Sequence, residues 1–550
     1  MLAVTEFSLA SGPTDPPLLE ETLGACLARI AGDHPDREAL VDRDQGVRLS
    51  YGQLDRAVDA LAKALLAAGL DKGDRVGIWA PNRSEWLLTQ YATARVGLVL
   101  VTINPAYRAH ELGFVLQQSG LRLLVSAPSF RTSDYRAMVD EVHGQAPALE
   151  RVVYLDGPDW RALHDAGTKV SDEQLRERSV ALSPDDPINI QYTSGTTGFP
   201  KGATLSHRNI VNNGYLVGRL CGYTEQDRVC VPVPFYHCFG MVMGNLGALT
   251  AGACVVVPAP GFDPVATLRT VQEERCTSLY GVPTMFIAEL AEPGFSSYDL
   301  TSLRTGIMAG SPCPVEVMRR VVAEMHMQEV TICYGMTETS PVSTQTRADD
   351  DLERRVSSVG RVHPHVTVKV VDPADGRTLP RGEAGELCTL GYSVMLGYWD
   401  EPEKTAEAVD ADGFMHTGDM AVMDADGYVS VVGRIKDLVI RGGENVYPRE
   451  VEEFLFTHPD VLEAQVVGVP DVRYGEELCA WVRVRDGASV SEEDLREFCR
   501  GRLAHYKVPR YVRFTEEFPM TVTGKVQKYL MRETSTSELG LQEAGGVRTA

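Results

Sequence analysis

Residues 192–203 read YTSGTTGFPKGA, which places three glycines, four Ser/Thr hydroxyls and one lysine within a single short stretch. Glycine tolerates positive φ and lets a backbone approach another group closely. Hydroxyl and amide groups donate hydrogen bonds, and lysine adds one mobile positive charge. Together these suit a polyphosphate. Gly195, Gly198 and Gly202 would open the backbone, Thr193, Ser194, Thr196 and Thr197 would supply hydroxyls, and Lys201 the charge. The lysine is not preceded by glycine and followed by Ser or Thr, so this is not a Walker loop. The run INIQ before it reads as a buried strand, and SHRNIVNNGYLV after it as a helix capped by Ser206. The segment therefore reads as a strand–loop–helix connection, whose amide groups favour an anion. A long surface turn of the same composition is the plain alternative.

Seven further strings accompany it in order: PFYHCFG (234–240), AGSP (309–312), YGMTE (334–338), GELCTLGYSVMLGYW (385–399), TGD (417–419), GRIKDLVIRGGENVYP (433–448) and PMTVTGKVQK (519–528). Any one of them is a weak signal. Eight in register, from LSYGQL (49–54) to TGKVQK (523–528), make the chain resemble the adenylate-forming enzymes. That superfamily holds acyl-CoA synthetases, firefly luciferase and peptide-synthetase adenylation domains, and the medium-chain branch of the acyl-CoA synthetases is the nearest in look.

The resemblance implies a two-step reaction: a carboxylic acid and ATP give acyl-AMP and pyrophosphate, then CoA takes the acyl group and AMP leaves. It also implies roles for individual residues. Glu338 is expected to ligate Mg²⁺, a hard cation suited to carboxylate and phosphate oxygens, and Thr337 to contact the α-phosphate. Tyr334 would stack on adenine, with Gly310, Ser311 and Gly335 shaping the slot. Asp419 would accept the ribose hydroxyls with Arg434 assisting. Lys525 would bridge the attacking carboxylate and the α-phosphate. His237 would sit beside the carboxylate end of the acyl pocket, and no carboxylate at motif distance makes it part of a triad. Lys436 takes the hinge position. Arg441, Gly442 and Gly443 belong to the loop expected to meet CoA.

The acyl pocket should be lined from FYHCFGMVMG, LYGVPTMF and GIMAGSP, which are apolar apart from His237 and tyrosines. Such a lining selects a hydrophobic tail, so a fatty acid of medium to long chain is expected, with aryl acids second. An amino-acid-activating domain would carry an Asp in the substrate turn, and PFYHCFG has none. A fatty-acyl-AMP ligase that loads a carrier protein is the nearer alternative, although no rotation-blocking insertion is visible. A nucleotide- or acyl-binding pseudoenzyme is disfavoured by the presence of Glu338, Asp419, Arg434 and Lys525 together.

These groups need a large scaffold to position them. At 550 residues the chain exceeds what one core usually holds. Continuous apolar runs such as GIW, LVLV, LLVS, CVVV and TIC alternate with helical patterns, the sign of parallel sheets covered on both faces. The expected fold class is α/β: a large domain (1–435) of two α/β sheets plus a distorted β-barrel, then a small mobile α+β domain (436–532). The segment 533–550 reads as a polar, disordered tail. An early helix is signalled by Ser50 and Gln53 as a capping box, with Leu54, Val58, Leu61 and Leu65 in one stripe and Gly69 ending it. Asp-Gly turns after residue 360 suggest antiparallel strands.

A net charge of -23 argues against nucleic-acid partners and broad anionic membrane surfaces. The eleven cysteines show no C-x-x-C pair, and they read as free thiols in a reducing compartment. The start MLAVTEFSLASGPTDPP lacks the basic and apolar regions of a signal peptide, and no apolar run is long enough to span a bilayer. A cytoplasmic location is expected.

Overall fold

The computed structural model describes residues 6–193, 200–311, 313–442, 444–485, 487–521 and 526–542. The fold is α/β, and the chain forms two compact units. One comprises residues 10–368 and 389–416, the other residues 1–9, 369–388 and 417–550. Here residues 369–388 and 417–435 group with the C-terminal segment, whereas the sequence reading counts them in the large domain.

Among the described residues two large sheets lie in the larger unit. A seven-stranded sheet runs in the order Gly397–Tyr398, Lys201–Ser206, Pro187–Thr193, Val99–Thr102, Arg75–Trp79, Leu123–Ser126, Arg151–Tyr154. Its last five strands are mutually parallel. In the nine-stranded sheet, Cys254–Val257, Arg228–Cys230, Ser278–Gly281, Thr305–Ala309 and Glu329–Gly335 form a parallel centre with antiparallel strands at both edges. Strands buried on both faces carry no alternation, which is why these runs are continuously apolar.

Local signals are obeyed closely. The Ser50 hydroxyl accepts the Gln53 N–H at 3.3 Å, and the Gln53 side chain accepts the Ser50 N–H at 2.8 Å. The helix Tyr51–Ala67 buries Leu54, Val58, Leu61 and Leu65, and Gly69 follows it at φ 79°.

One local expectation is corrected. The glycine-rich segment does not lead directly into a helix. Lys201–Ser206 is itself a strand, antiparallel to Pro187–Thr193, with Thr193 opposite Lys201 and Tyr192 opposite Gly202. The helix His207–Leu220 begins only after it, capped by Ser206 and Asn209. KGATLS carries only a brief alternation, Ala203 and Leu205 against Thr204 and Ser206, a strand period too short to decide its state by itself. The backbone ladder offered by the neighbouring strand decides its state. Residues 194–199 lie outside the described residues.

A further five-stranded sheet has the order Leu9–Ser11, Val366–Val371, Ala384–Gly391, Met415–Met423, Val429–Arg434. This is the expected distorted barrel, and among the described residues its strand order is open rather than closed. Its last two strands form the Asp-Gly-turned antiparallel pair that the sequence signals.

The C-terminal part of the smaller unit is α+β. Val439–Arg441, Glu444–Val446, Val461–Asp471, Gly475–Val484 and Tyr511–Phe514 form one sheet with apolar residues on both faces. Leu478, Ala480 and Val482 face one cluster while Cys479 and Trp481 face another, the period of two that a strand imposes. The tail expectation also needs correction: helix Lys528–Glu538 runs past residue 532. Met531 and Ser535 are buried, and Trp481 Nε1 donates to Ser535 Oγ at 2.8 Å. A polar composition does not prevent ordering where two side chains find a core. Residues 543–550 lie outside the described residues.

One core residue is chemically costly. Glu289, on helix Pro283–Leu290, is 1% exposed, and neither carboxylate oxygen has a partner among the described residues. Burial pushes its carboxyl well above the usual carboxylate range. The folded state therefore keeps a proton that the unfolded chain loses above its ordinary carboxyl value, so stability falls as pH rises from there toward the folded value. Glu289→Met should raise thermal stability, on the order of 1–3 kcal/mol near neutral pH. The gain should be larger at pH 8 than at pH 5 in thermal melts. A pH-independent difference would show that the carboxyl is not held protonated.

Candidate active site

The hairpin brings Thr193 and Lys201 side by side. Gly202 has no room for a side chain, since a Cβ would meet Ile190 Cγ2 at 2.9 Å and the Tyr192 ring at 3.4 Å. Lys201 Nζ lies 4.8 Å from the centroid of the Tyr398 ring. The Tyr398 hydroxyl donates to Glu338 Oε1 at 2.9 Å, and Thr193 Oγ1 reaches the same oxygen at 3.4 Å. Glu338 is 5% exposed and sits in a short turn, Thr337–Thr339, whose backbone is pinned by the Met395 N–H on the Glu338 carbonyl at 2.9 Å. Burial and the Glu338 charge push the Tyr398 phenol up, so it stays a donor to that carboxylate. No lysine or arginine pairs with Glu338 among the described residues. A nearly buried carboxylate held by neutral donors alone fits a hard cation.

Gly310, Ser311, Tyr334 and Gly335 lie together at the carboxyl ends of two adjacent parallel strands, where Ala309 is in register with Cys333. Open α/β sheets bind ligands at such ends. Gly310 has φ 92°, which favours glycine. A Cβ on Gly335 would stand 1.7 Å from the Pro341 carbonyl oxygen. Tyr334 is half-buried and Gly335 exposed, which leaves one ring beside bare backbone.

His237 belongs to a tight turn before helix Phe239–Leu246. Its Nδ1 accepts the Phe239 N–H at 3.1 Å, which leaves the proton of the neutral ring on Nε2. Cys238 Sγ lies 3.8 Å from His237 Nδ1 and 3.7 Å from Thr337 Oγ1. The larger unit thus gathers Thr193, Lys201, Thr337, Glu338 and His237 through Tyr398 and Cys238. Neither of these two stands out in the sequence. Both lie inside the strings GELCTLGYSVMLGYW and PFYHCFG, and only their long-range contacts mark them.

In the smaller unit, Asp419 and Arg434 face each other across antiparallel strands, with Arg434 Nε 3.1 Å from Asp419 Oδ1. The Asp419 side chain is 12% exposed and that of Arg434 61%. Gly418, at φ 71°, turns its N–H to Glu386 Oε1 at 3.0 Å, and Thr417 Oγ1 accepts the Asp419 N–H at 3.1 Å. Lys436 is exposed in the turn Ile435–Asp437 directly after this pair.

Arg441 is occupied differently from the expected CoA contact. Its guanidinium donates to the carbonyls of His505, Tyr506 and Val508 at 3.3, 2.8 and 3.2 Å, and to buried Glu477 at 2.9 Å. It fastens the 505–508 segment. A cleft of about 450 Å³ beside it is lined by Arg496, Arg500, His505 and Arg510, and the three guanidinium groups are paired with carboxylates, Arg496 and Arg500 with Glu493 at 3.1 and 2.7 Å and Arg510 with Asp471 at 2.8 Å. Gly442, exposed at φ 61°, packs its Cα side toward the Tyr474 ring. Ser194, Gly195, Thr196, Thr197, Gly198, Gly443 and Lys525 lie outside the described residues.

Residues 27–399 match the family model described as AMP-binding enzyme, and residues 450–525 the model described as AMP-binding enzyme C-terminal domain. The chain is 44% identical to the mitochondrial medium-chain acyl-CoA ligase ACSF2 of Danio rerio, over 97% of this chain and 91% of that protein. Among solved structures it resembles ATP-bound MatB from Rhodopseudomonas palustris, with TM-score 0.85, 34% identity and coverage of 94% and 100%. The Mycobacterium tuberculosis fatty acyl CoA synthetase aligns with TM-score 0.73, 29% identity and coverage of 94% and 99%. Among the described residues no helix is long and apolar enough to cross a membrane.

Proposed function

Because this chain belongs to the AMP-binding enzyme family, we propose that it is an ATP-dependent acyl-CoA ligase acting on fatty acids of medium to long chain. The observation that carries the reading is the contact chain from Thr193 through Glu338 to Thr337 and on through Cys238 to His237. It joins a phosphate-type loop to a turn that opens on apolar segments.

A carboxylate resists nucleophiles because of its charge, and attaching AMP gives it a leaving group. The transfer at the α-phosphate needs cancellation of gathering negative charge more than acid–base help. Lys201 and the Thr193 hydroxyl serve the ATP phosphates, and Thr337 the α-phosphate. Tyr334 with Gly310, Ser311 and Gly335 takes the adenine, while Asp419 and Arg434 take the ribose. Glu338 would hold Mg²⁺, which would supply charge neutralisation on the phosphate oxygens. His237 presents Nε2–H to the acid's carboxylate end, and the apolar wall after it takes the tail. The large domain (1–435) performs adenylation, and the small domain (436–532) turns at Lys436 so that CoA can replace Lys525 at the acyl group. Eleven buried cysteine thiols support a reducing compartment, and we place the protein in the cytoplasm.

Purified protein incubated with ATP, Mg²⁺, CoA and a panel of acids should release pyrophosphate and form acyl-CoA. Acyl-AMP that accumulates with CoA present, and is discharged only by a phosphopantetheinylated carrier protein, would overturn the CoA ligase reading. Gly442→Leu tests the second step. A branched side chain at a positive-φ position beside Tyr474 should reduce thioester formation by about tenfold or more while adenylation changes little. Equal loss in both steps would mean that the loop is structural only.

A further inference from the structure

The segment that follows His237 is a π-helix, Phe239–Leu246, and every one of its residues is buried. The Gly247 N–H bonds to the Val242 carbonyl, five residues back. Such turns are rare and cluster at functional sites. Two glycines let this one pack: a Cβ on Gly240 would stand 2.4 Å from the Pro234 carbonyl oxygen, and one on Gly244 2.8 Å from Val231 Cγ1.

The register is held from outside. Gln90 Nε2 donates to the Met241 carbonyl at 3.3 Å, the Tyr280 hydroxyl to the Met243 carbonyl at 3.0 Å, and the Tyr91 hydroxyl to the Asn245 carbonyl at 3.4 Å. Asn245 Nδ2 donates in turn to Gln90 Oε1 at 3.1 Å. Gln191 Nε2 lies 3.7 Å from Met241 Sδ. Gln90, Gln191 and Asn245 are all nearly or fully buried. Asn245 Oδ1 has no partner among the described residues. Burying amides costs free energy unless their hydrogen bonds are made. An apolar core of the same shape would be more stable, so a further constraint on this wall is implied.

We propose that Gln90 and Asn245 are positioning residues for acyl-chain selection, clasping the wall after His237 in its π register. This inference rests on the acyl-CoA ligase reading above. In that register the wall carries one residue more than α-helical winding would allow. Relaxing it to α-helical winding turns the side chains downstream by about 100°. Different atoms would then face the acyl tail. The consequence belongs to chain-length selectivity and not to the handling of ATP.

Gln90→Met keeps the length of the side chain and removes both hydrogen bonds. The readout is kcat/KM for unbranched acids from butanoate to hexadecanoate, with near-UV circular dichroism to verify folding. The octanoate-to-hexadecanoate ratio should shift by about threefold or more, since each methylene contributes a modest discrimination, while KM for ATP stays within about twofold. A smaller shift in the ratio, or a uniform loss for every acid, overturns the proposal. If Gln90→Met does not fold, Asn245→Leu is judged by the same criterion. Wild-type protein that adenylates no alkanoic acid removes the ligase reading itself, whereas adenylation with an unchanged length profile removes only the clasp.

Discussion

Glu338→Gln lowers acyl-adenylate formation by about 10²–10³-fold, the range seen when one electrostatic contact to a transition state is lost. The carboxylate is nearly buried, receives the Tyr398 hydroxyl and the Thr193 hydroxyl on one oxygen, and has no cationic partner among the described residues. An amide can still accept from Tyr398, so the turn and the fold should persist. What it loses is the charge that a hard cation requires. The Mg²⁺ dependence of the first half-reaction should therefore move to higher concentration. Tyr398→Phe removes a single hydrogen bond to the same oxygen and should cost about tenfold or less. A normal Mg²⁺ titration and rate in Glu338→Gln would remove this carboxylate from the metal site.

Lys525→Ala should abolish nearly all acyl-adenylate formation, by about 10³-fold, while thioester formation from supplied acyl-AMP and CoA stays within a fewfold of wild type. The lysine stands in TVTGKVQK, the string that in the resembled family delivers a charge to the attacking carboxylate and the α-phosphate. Lys528, three residues on, is engaged elsewhere. Its Nζ pairs at 2.6 Å with Glu452, a carboxylate on helix Pro448–Phe456 that also accepts the Val466 N–H. Assay of the two half-reactions on one preparation separates the roles. Equal losses in both would make Lys525 structural, or needed throughout the cycle.

The two lysines show where sequence reasoning stops. Both stand in one short string, and the carboxylate that engages Lys528 comes from 76 residues away. Arg441 illustrates the same limit. From the sequence it is an exposed cation in a glycine loop and a candidate for CoA. In the fold its guanidinium is taken up by three carbonyls and Glu477.

What the amino-acid sequence determined by itself is whatever depends on near neighbours. The capping box at Ser50, the cap at Ser206, the apolar stripe of helix 51–67, the continuous strands of two parallel sheets and the Asp-Gly-turned pair around 424–428 were all legible. Their causes act within one or two turns of chain: a hydroxyl meets an amide three residues on, and a period of 3.6 or 2 selects a face. The order of the eight motifs was legible too, and with it the family. Tertiary structure alone decided the state of KGATLS, which pairs as a strand because Pro187–Thr193 offers it a ladder. It also decided that Tyr398 protects the Glu338 carboxylate, that Cys238 touches Thr337, and that Glu289 keeps its proton. These rest on contacts between residues 60, 99 or more positions apart, where the energy of a polar group is set by which donors and how little water surround it. No local pattern carries that information, because burial is a property of the assembled core.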